Sequence, residues 1–252
     1  MTVATSPASD GRSERTERCP KEARATLNEA RPKGQPEGEN ADLATVPLLK
    51  VRDLRTTILK PASFQLERGE CIAVKGPSGA GKTLLLRAIA DLDVSQGAVT
   101  LNGRDRAAIP APEWRRSVGY MPAEPGWWAE TVGEHFPAWA TAAALCQQLG
   151  FSEEVKNWRV ARLSTGERLR LALVRALMVR PHVLLLDEPT AALDAASVTA
   201  VETLIAAWRD ASLAIIWVTH DAAQGKRIAR RQLVVEAGQV REEMEPCPAT
   251  SP

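Results

Sequence analysis

Residues 183–186, Val-Leu-Leu-Leu, are apolar at every position, which fits a strand covered on both faces at the centre of a parallel sheet. Around it, runs of strand length mix apolar with polar residues. Residues 48–54 and 62–66 predict short strands, and Gly69 turns the chain into a third at 71–75. The apolar run 213–218 and residues 232–235 predict two more, with Gly238 turning into a last short one. Residues 98–102 and 117–121 read as a strand pair, Gly103 leading from the first into a polar loop. Helical spacing is predicted over 82–90, over 166–179 where Pro181 stops it, over 195–209, and once more before residue 232. Residues 127–158, rich in Ala and Trp, also read as helical and place a small helical subdomain at about 125–180. The alternation of strand and helix specifies an α/β fold. The expected architecture is a mainly parallel sheet flanked by helices, with a small antiparallel β subdomain and the short helical one, and with ligands at the carboxyl ends of the strands.

The ends differ in character. Residues 1–45 are rich in Glu, Arg, Pro, Ser and Gly, with no aromatic residue and few large apolar ones, so a disordered tail is expected there. One folded domain is expected over 46–243 and a second disordered tail over 244–252. The apolar fraction of 44% is enough for a real core. Lys and Arg total 32 against 31 Asp and Glu, so no overall field draws the chain to nucleic acid or an anionic bilayer, and no nucleic-acid partner is expected. Cys19, Cys71, Cys146 and Cys247 lie far apart without paired spacing, which argues against zinc and a disulfide framework and for a reduced, cytosolic setting. No apolar run approaches the roughly 20 residues of a spanning helix, and no apolar leader segment follows the N-terminus.

Candidate chemistry begins where the third strand ends. Gly76-Pro77-Ser78-Gly79-Ala80-Gly81-Lys82-Thr83 fits the phosphate-loop pattern G-x-x-x-x-G-K-[ST] between a strand and a helix, the context its chemistry requires. Its glycines let backbone N–H groups point at an anion, and the helix N-terminus adds partial positive charge. Lys82 reaches the β- and γ-phosphates, and the Thr83 hydroxyl can ligate Mg²⁺. This makes the fold a P-loop NTPase and ATP with Mg²⁺ the expected ligands. Asp187 and Glu188 emerge from the buried strand, where Asp187 can hold magnesium through water and Glu188 can polarise the attacking water. Alone, two adjacent acids are equally consistent with solvated loop charges. His220 ends the next strand at the same edge and belongs with them.

Together with Leu163-Ser164-Thr165-Gly166-Glu167 before one helix and Ala191-Ala192-Leu193-Asp194 before the next, these motifs resemble, in order, the nucleotide-binding subunit of ATP-binding cassette (ABC) transporters. The resemblance covers about residues 48–240. It implies an ATPase whose two cassettes face each other head to tail and trap two ATP molecules, each site completed by the partner's Ser164, Thr165, Gly166 and Glu167. It further implies that Glu188 is the catalytic base, that His220 holds the γ-phosphate and attacking water, and that Asp194 lines the dimer interface. The physics agrees, since Ser164, the Gly166 N–H and a helix N-terminus form an anion site that the chain's own phosphate loop does not need. A capping box of Ser164 with Glu167 is a compatible plain reading. A separate transmembrane permease subunit is then expected, with the cassette peripheral on the cytoplasmic face of the membrane.

Some positions depart from the family. Thr165 and Glu167 stand where a glycine and a glutamine are usual. Ala123 stands at the usual place of a glutamine that reaches Mg²⁺, leaving water or Glu124 to fill that position. Residues 55–61 hold no aromatic ring to stack on adenine. Trp127 and Trp128 lie in the region that meets the membrane subunit in the family, and they are either core or a docking anchor. Two other functions share these motifs: a soluble ATPase of DNA repair or translation, whose coiled coils and zinc modules are lacking here, and a scaffold that binds ATP without hydrolysing it.

Overall fold

The computed structural model describes residues 46–244, and the two predicted tails lie outside them apart from Met244, which still belongs to the last strand. The strands are β1 (Leu49–Arg55), β2 (Ala62–Leu66), β3 (Cys71–Lys75), β4 (Gln96–Leu101), β5 (Arg104–Asp105), β6 (Val118–Met121), β7 (Val183–Asp187), β8 (Ala214–Val218), β9 (Arg231–Glu236) and β10 (Gln239–Met244). The helices are α1 (Lys82–Ile89), α2 (Ala111–Ser117), α3 (Trp139–Gln148), α4 (Thr165–Met178), α5 (Ala195–Asp210) and α6 (Ala222–Ile228).

A six-stranded sheet runs β10-β9-β3-β8-β7-β6, parallel except for β10, and a four-stranded antiparallel sheet runs β2-β1-β4-β5. β7 and β8 are buried at every position, as a strand covered on both faces must be. Their side chains divide by the two-residue period of a strand. Val183, Leu185, Ile216 and Val218 join Leu85, Leu86 and Ile89 of α1 and the inner face of the antiparallel sheet, including Leu49, Val51 and Val99. Leu184, Leu186, Ile215 and Trp217 face the opposite way, into Leu169, Leu173 and Leu177 of α4 and Leu204 and Ile205 of α5. The sheet therefore has a covered face on each side, and only its edge is left for ligands.

Two expectations are corrected. Residues 98–102 and 117–121 do not pair: β4 lies between β1 and β5, while β6 joins β7 in parallel at the edge of the other sheet. The chain crosses between them through α2, whose seven residues bury only Trp114 and carry no long apolar pattern to reveal a helix. Residues 127–158 hold a single α-helix, α3; residues 133–135 and 153–157 form short 3₁₀ turns, and Thr131 bridges to Arg159. Gly126, Gly133, Pro137 and Gly150 explain the break, since glycine and proline weaken a helix interior, and Gly150 at φ 82° ends α3. Cys71 and Cys146 are buried free thiols, pushed up to about 12 and about 11 by desolvation. No helix among the described residues is long and apolar enough to cross a membrane.

Trp114 joins α2 to α1. It is fully buried in the core beside the antiparallel sheet, and its indole Nε1 donates to the Ile89 carbonyl at 3.0 Å, satisfying an acceptor at the end of α1. Trp114→Ala is expected to lower the free energy of unfolding by about 3–5 kcal/mol, read from urea denaturation followed by circular dichroism.

Candidate functional site

β3 feeds the phosphate loop at the edge where β7 and β8 also end. Gly76, at φ 147°, leaves β3 so close to β9 that a Cβ would sit 2.1 Å from the Val235 carbonyl oxygen. No other residue fits there without moving backbone. Gly81 caps α1 in the left-handed region with φ 109°, and its missing side chain leaves room for Leu59, whose Cδ2 would lie 2.8 Å from an added Cβ. No side chain caps α1, so its first N–H groups are available to an anion. Lys82 is only 6% exposed, and its ammonium donates to the Gly76 and Pro77 carbonyls at 2.8 and 2.9 Å. The ammonium is thereby held against the first two residues of the loop, which continues through Ser78, Gly79 and Ala80.

The next helical residue reaches across to β7. Thr83 Oγ1 donates to Asp187 Oδ2 at 2.8 Å, and Tyr120 of β6 donates its phenol to the same oxygen at 3.2 Å. Asp187 is buried, so these bonds offset part of the cost of removing its carboxylate from water. Burial first, and then the neighbouring Asp187 carboxylate, push the Tyr120 phenol well above its usual range, which keeps it a protonated donor. The Tyr120 hydroxyl was not among the sequence-predicted site residues. Only the β6–β7 pairing, with Tyr120 opposite Leu185, brings it within reach of Asp187.

Glu188 follows in a left-handed conformation, φ 51°, unusual for a residue with a side chain and costing roughly 1 kcal/mol or more. Its N–H donates to the Val218 carbonyl at 3.2 Å, which pins it against the end of β8. Its carboxylate Oε1 lies 2.5 Å from His220 Nε2, so the predicted pair does meet.

The remaining predicted residues form a second group. Ser164 caps α4 with its hydroxyl accepting from the Glu167 N–H at 3.2 Å, while the Ser164 N–H and hydroxyl both donate to the Glu167 carboxylate at 2.8 and 2.9 Å. The capping box is thus real, and the Glu167 charge occupies the Ser164 hydroxyl. Thr165 begins α4. Gly166 packs on the loop after the acids, where a Cβ would come within 2.9 Å of the Ala192 carbonyl oxygen. That loop ends at Asp194, whose carboxylate caps α5 and is held below its usual range by the Ser197 N–H and then the Ser197 hydroxyl.

The two tryptophans differ in burial. Trp127 packs against the core beneath α4, whereas Trp128 is 72% exposed. Both rings lie against the His135 imidazole at 4.7 Å, and the Arg175 guanidinium sits over them at 4.8 and 4.6 Å. An open groove of about 500 Å³ adjoins Trp127, lined also by Pro125, Glu130, Arg159, Val160 and Arg168 among others. Ala123 and Glu124 are exposed.

The arrangement resembles known proteins. The sequence profile described as ABC transporter matches residues 59–191. The chain is 34% identical over 186 residues to the aliphatic sulfonates import ATP-binding protein SsuB 1 of Burkholderia cenocepacia, covering 73% of this chain and 58% of that one. With the aliphatic sulfonates import ATP-binding protein SsuB of Burkholderia pseudomallei it shares 32% over 217 residues, or 81% and 66% of the two chains, so it spans less than two thirds of these relatives' length. A solved structure described as the ATP-binding subunit of an ABC transporter superposes with a TM-score of 0.70 at 26% identity, covering 78% of this chain and 90% of that one. A profile match over more than half of the chain, on the residues that carry the phosphate loop and the β7 acids, makes this protein a member of the ABC transporter family.

Proposed function

We propose that the chain binds and hydrolyses MgATP and energises a transporter whose membrane-spanning subunit is a separate polypeptide, acting as a dimer of cassettes on the cytoplasmic face. The observation that carries this reading is the Thr83–Asp187 hydrogen bond, which joins the phosphate loop to the end of β7 and presents two hard oxygen donors side by side. Such a set suits Mg²⁺, which takes few protein ligands and completes its octahedron with water and phosphate oxygens. Thr83 would hold it directly and Asp187 through water. When bound, it would neutralise charge on the β- and γ-phosphates.

The chain's own groups supply the rest. The α1 N-terminus and the Gly76–Thr83 amides orient the phosphates, and Lys82 turns from the loop carbonyls to the β- and γ-phosphates. Glu188 accepts a proton from the attacking water while His220, in contact with it, orients that water and the γ-phosphate. The second group, Ser164 to Glu167 with Asp194, has no role at its own chain's phosphate loop and fits the nucleotide of a second copy. The groove beside Trp127 and the exposed Trp128 supports docking of the membrane subunit there. The import role in the names of the relatives supports import as the direction.

Three outcomes are expected. Glu188→Gln lowers the turnover of ATP by about 10²–10⁴-fold while ATP-bound dimers accumulate, read by phosphate release and light scattering; undiminished turnover would remove Glu188 from the mechanism. Tyr120→Phe leaves Asp187 with one hydroxyl partner fewer, and raises the Mg²⁺ concentration for half-maximal binding of a fluorescent ATP analogue by a few-fold, which corresponds to roughly 1 kcal/mol. Glu167→Gln keeps an acceptor for the Ser164 hydroxyl but replaces a charged partner by a neutral one and removes a negative charge from the partner phosphate's site, so the ATP concentration needed to form the dimer falls.

A further inference from the structure

α6 begins two residues after His220. It packs on β3, where a Cβ added at Gly225 would meet Ala73 and Thr219 at 3.7 Å, an ordinary contact distance. The preceding residue, Gln224, is 2% exposed, and both polar atoms of its side chain are hydrogen-bonded. Its side-chain carbonyl accepts from the Thr219 hydroxyl at 2.7 Å and from the Thr190 hydroxyl at 3.1 Å. Its amide nitrogen donates to Glu202 of α5 at 2.9 Å, which fixes which end of the amide is which, because a carboxylate only accepts. Glu202 is itself paired with Arg227, and the Thr219 hydroxyl accepts from the Asp221 N–H at 3.1 Å.

The sequence positions of these partners give the network its meaning. Thr219 immediately precedes His220, and Thr190 follows Glu188 by two residues in the same loop. One oxygen of one buried side chain therefore ties the loop that carries Glu188 to the strand end that carries His220. Through Glu202 the same side chain is tied to α5, the helix that Asp194 caps.

We propose that Gln224 is a positioning residue that sets the distance between Glu188 and His220 by bridging Thr190 and Thr219. It touches neither substrate nor the reacting atoms, and the inference rests on the reading of Glu188 and His220 as the hydrolytic pair. A neutral amide suits this place because it gives two hydroxyls an acceptor and Glu202 a donor at once. A carboxylate at the same position would keep the threonines but face Glu202 with like charge.

The test uses the full chain with Gln224→Leu and with Gln224→Glu, alone and combined with Glu202→Gln. Turnover of MgATP, the dissociation constant of a fluorescent ATP analogue and the imidazole NMR signals are measured on each. The chain has 3 histidines, His135, His182 and His220, so the His220 signals can be assigned by a His220→Gln control. The expected result is a fall in kcat of about tenfold or more with nucleotide affinity within twofold, because a displaced catalytic group costs rate rather than phosphate binding. The His220 signals move away from their wild-type values while those of His182 stay, and the Glu202→Gln combination recovers part of the loss in Gln224→Glu by exchanging donor and acceptor across one contact. Unchanged His220 signals together with unchanged kcat in Gln224→Leu would overturn the proposal, as would parallel losses of kcat and nucleotide affinity, which a general structural role produces. Should Gln224→Leu not fold, Thr190→Val removes the bond to the Glu188 loop from a partly buried position and is judged by the same two readouts. Full turnover in Glu188→Gln would instead defeat the hydrolytic reading, and the His220 signals would then decide the positioning role on their own.

Discussion

Parallel pairing of β3, β8 and β7 is the constraint on which everything else hangs. Parallel strands end at the same edge of a sheet, so the phosphate loop after β3, the acids after β7 and His220 after β8 are delivered together although they are far apart in the chain. The pairing persists because both faces of these strands are covered, one by α1 and the antiparallel sheet and the other by α4 and α5. A shift of one residue in β7, which is apolar on both faces, would exchange the side chains its two cores receive and displace Asp187 from Thr83.

Within that edge, charge is managed by local bonding rather than exposure. Asp187 is held by two hydroxyls, and Lys82 is held by two carbonyls. The partners of each group are neutral, so a phosphate beside Lys82 or a metal ion beside Asp187 adds a charge–charge attraction that a hydroxyl or carbonyl dipole cannot match. Glu188 is the strained member, kept at positive φ by its bond to Val218 and by its contact with His220. Strain of this kind survives only where the surroundings over-determine it, which agrees with the buried Gln224 network.

The region between β6 and α4 follows a different logic. Its chain is broken by glycine and proline into one α-helix and several 3₁₀ turns, and it is fastened to α4 by side chains: Arg170 donates to the Leu149 carbonyl, and Arg175 donates to the Gly126 carbonyl while lying over both tryptophans. The buried His135 ring accepts two backbone N–H groups, from Trp128 and Ala129, and so shapes the loop that exposes Trp128. The loop leaves the sheet edge at Met121, so the segment carrying Trp128 follows directly on β6, whose Tyr120 donates to Asp187.

Sequence alone determined what depends on residues adjacent in the chain: the phosphate loop, whose glycines and Lys82 act within a single turn; the fully apolar β7 with its trailing acids; and the capping box of Ser164 with Glu167. Local spacing carries these because their physics is local. Tertiary structure decided what depends on which strands lie side by side. It separated β4 from β6, since the short α2 with its one buried tryptophan leaves too faint a pattern to show where the chain changes sheets. It parted Trp127 from Trp128, adjacent residues whose burial is set by α4 and His135. It also assembled Tyr120 on Asp187 and Gln224 on Thr190 and Thr219, because a side chain's hydrogen-bond partner is fixed by packing between elements and leaves no period or motif in the sequence.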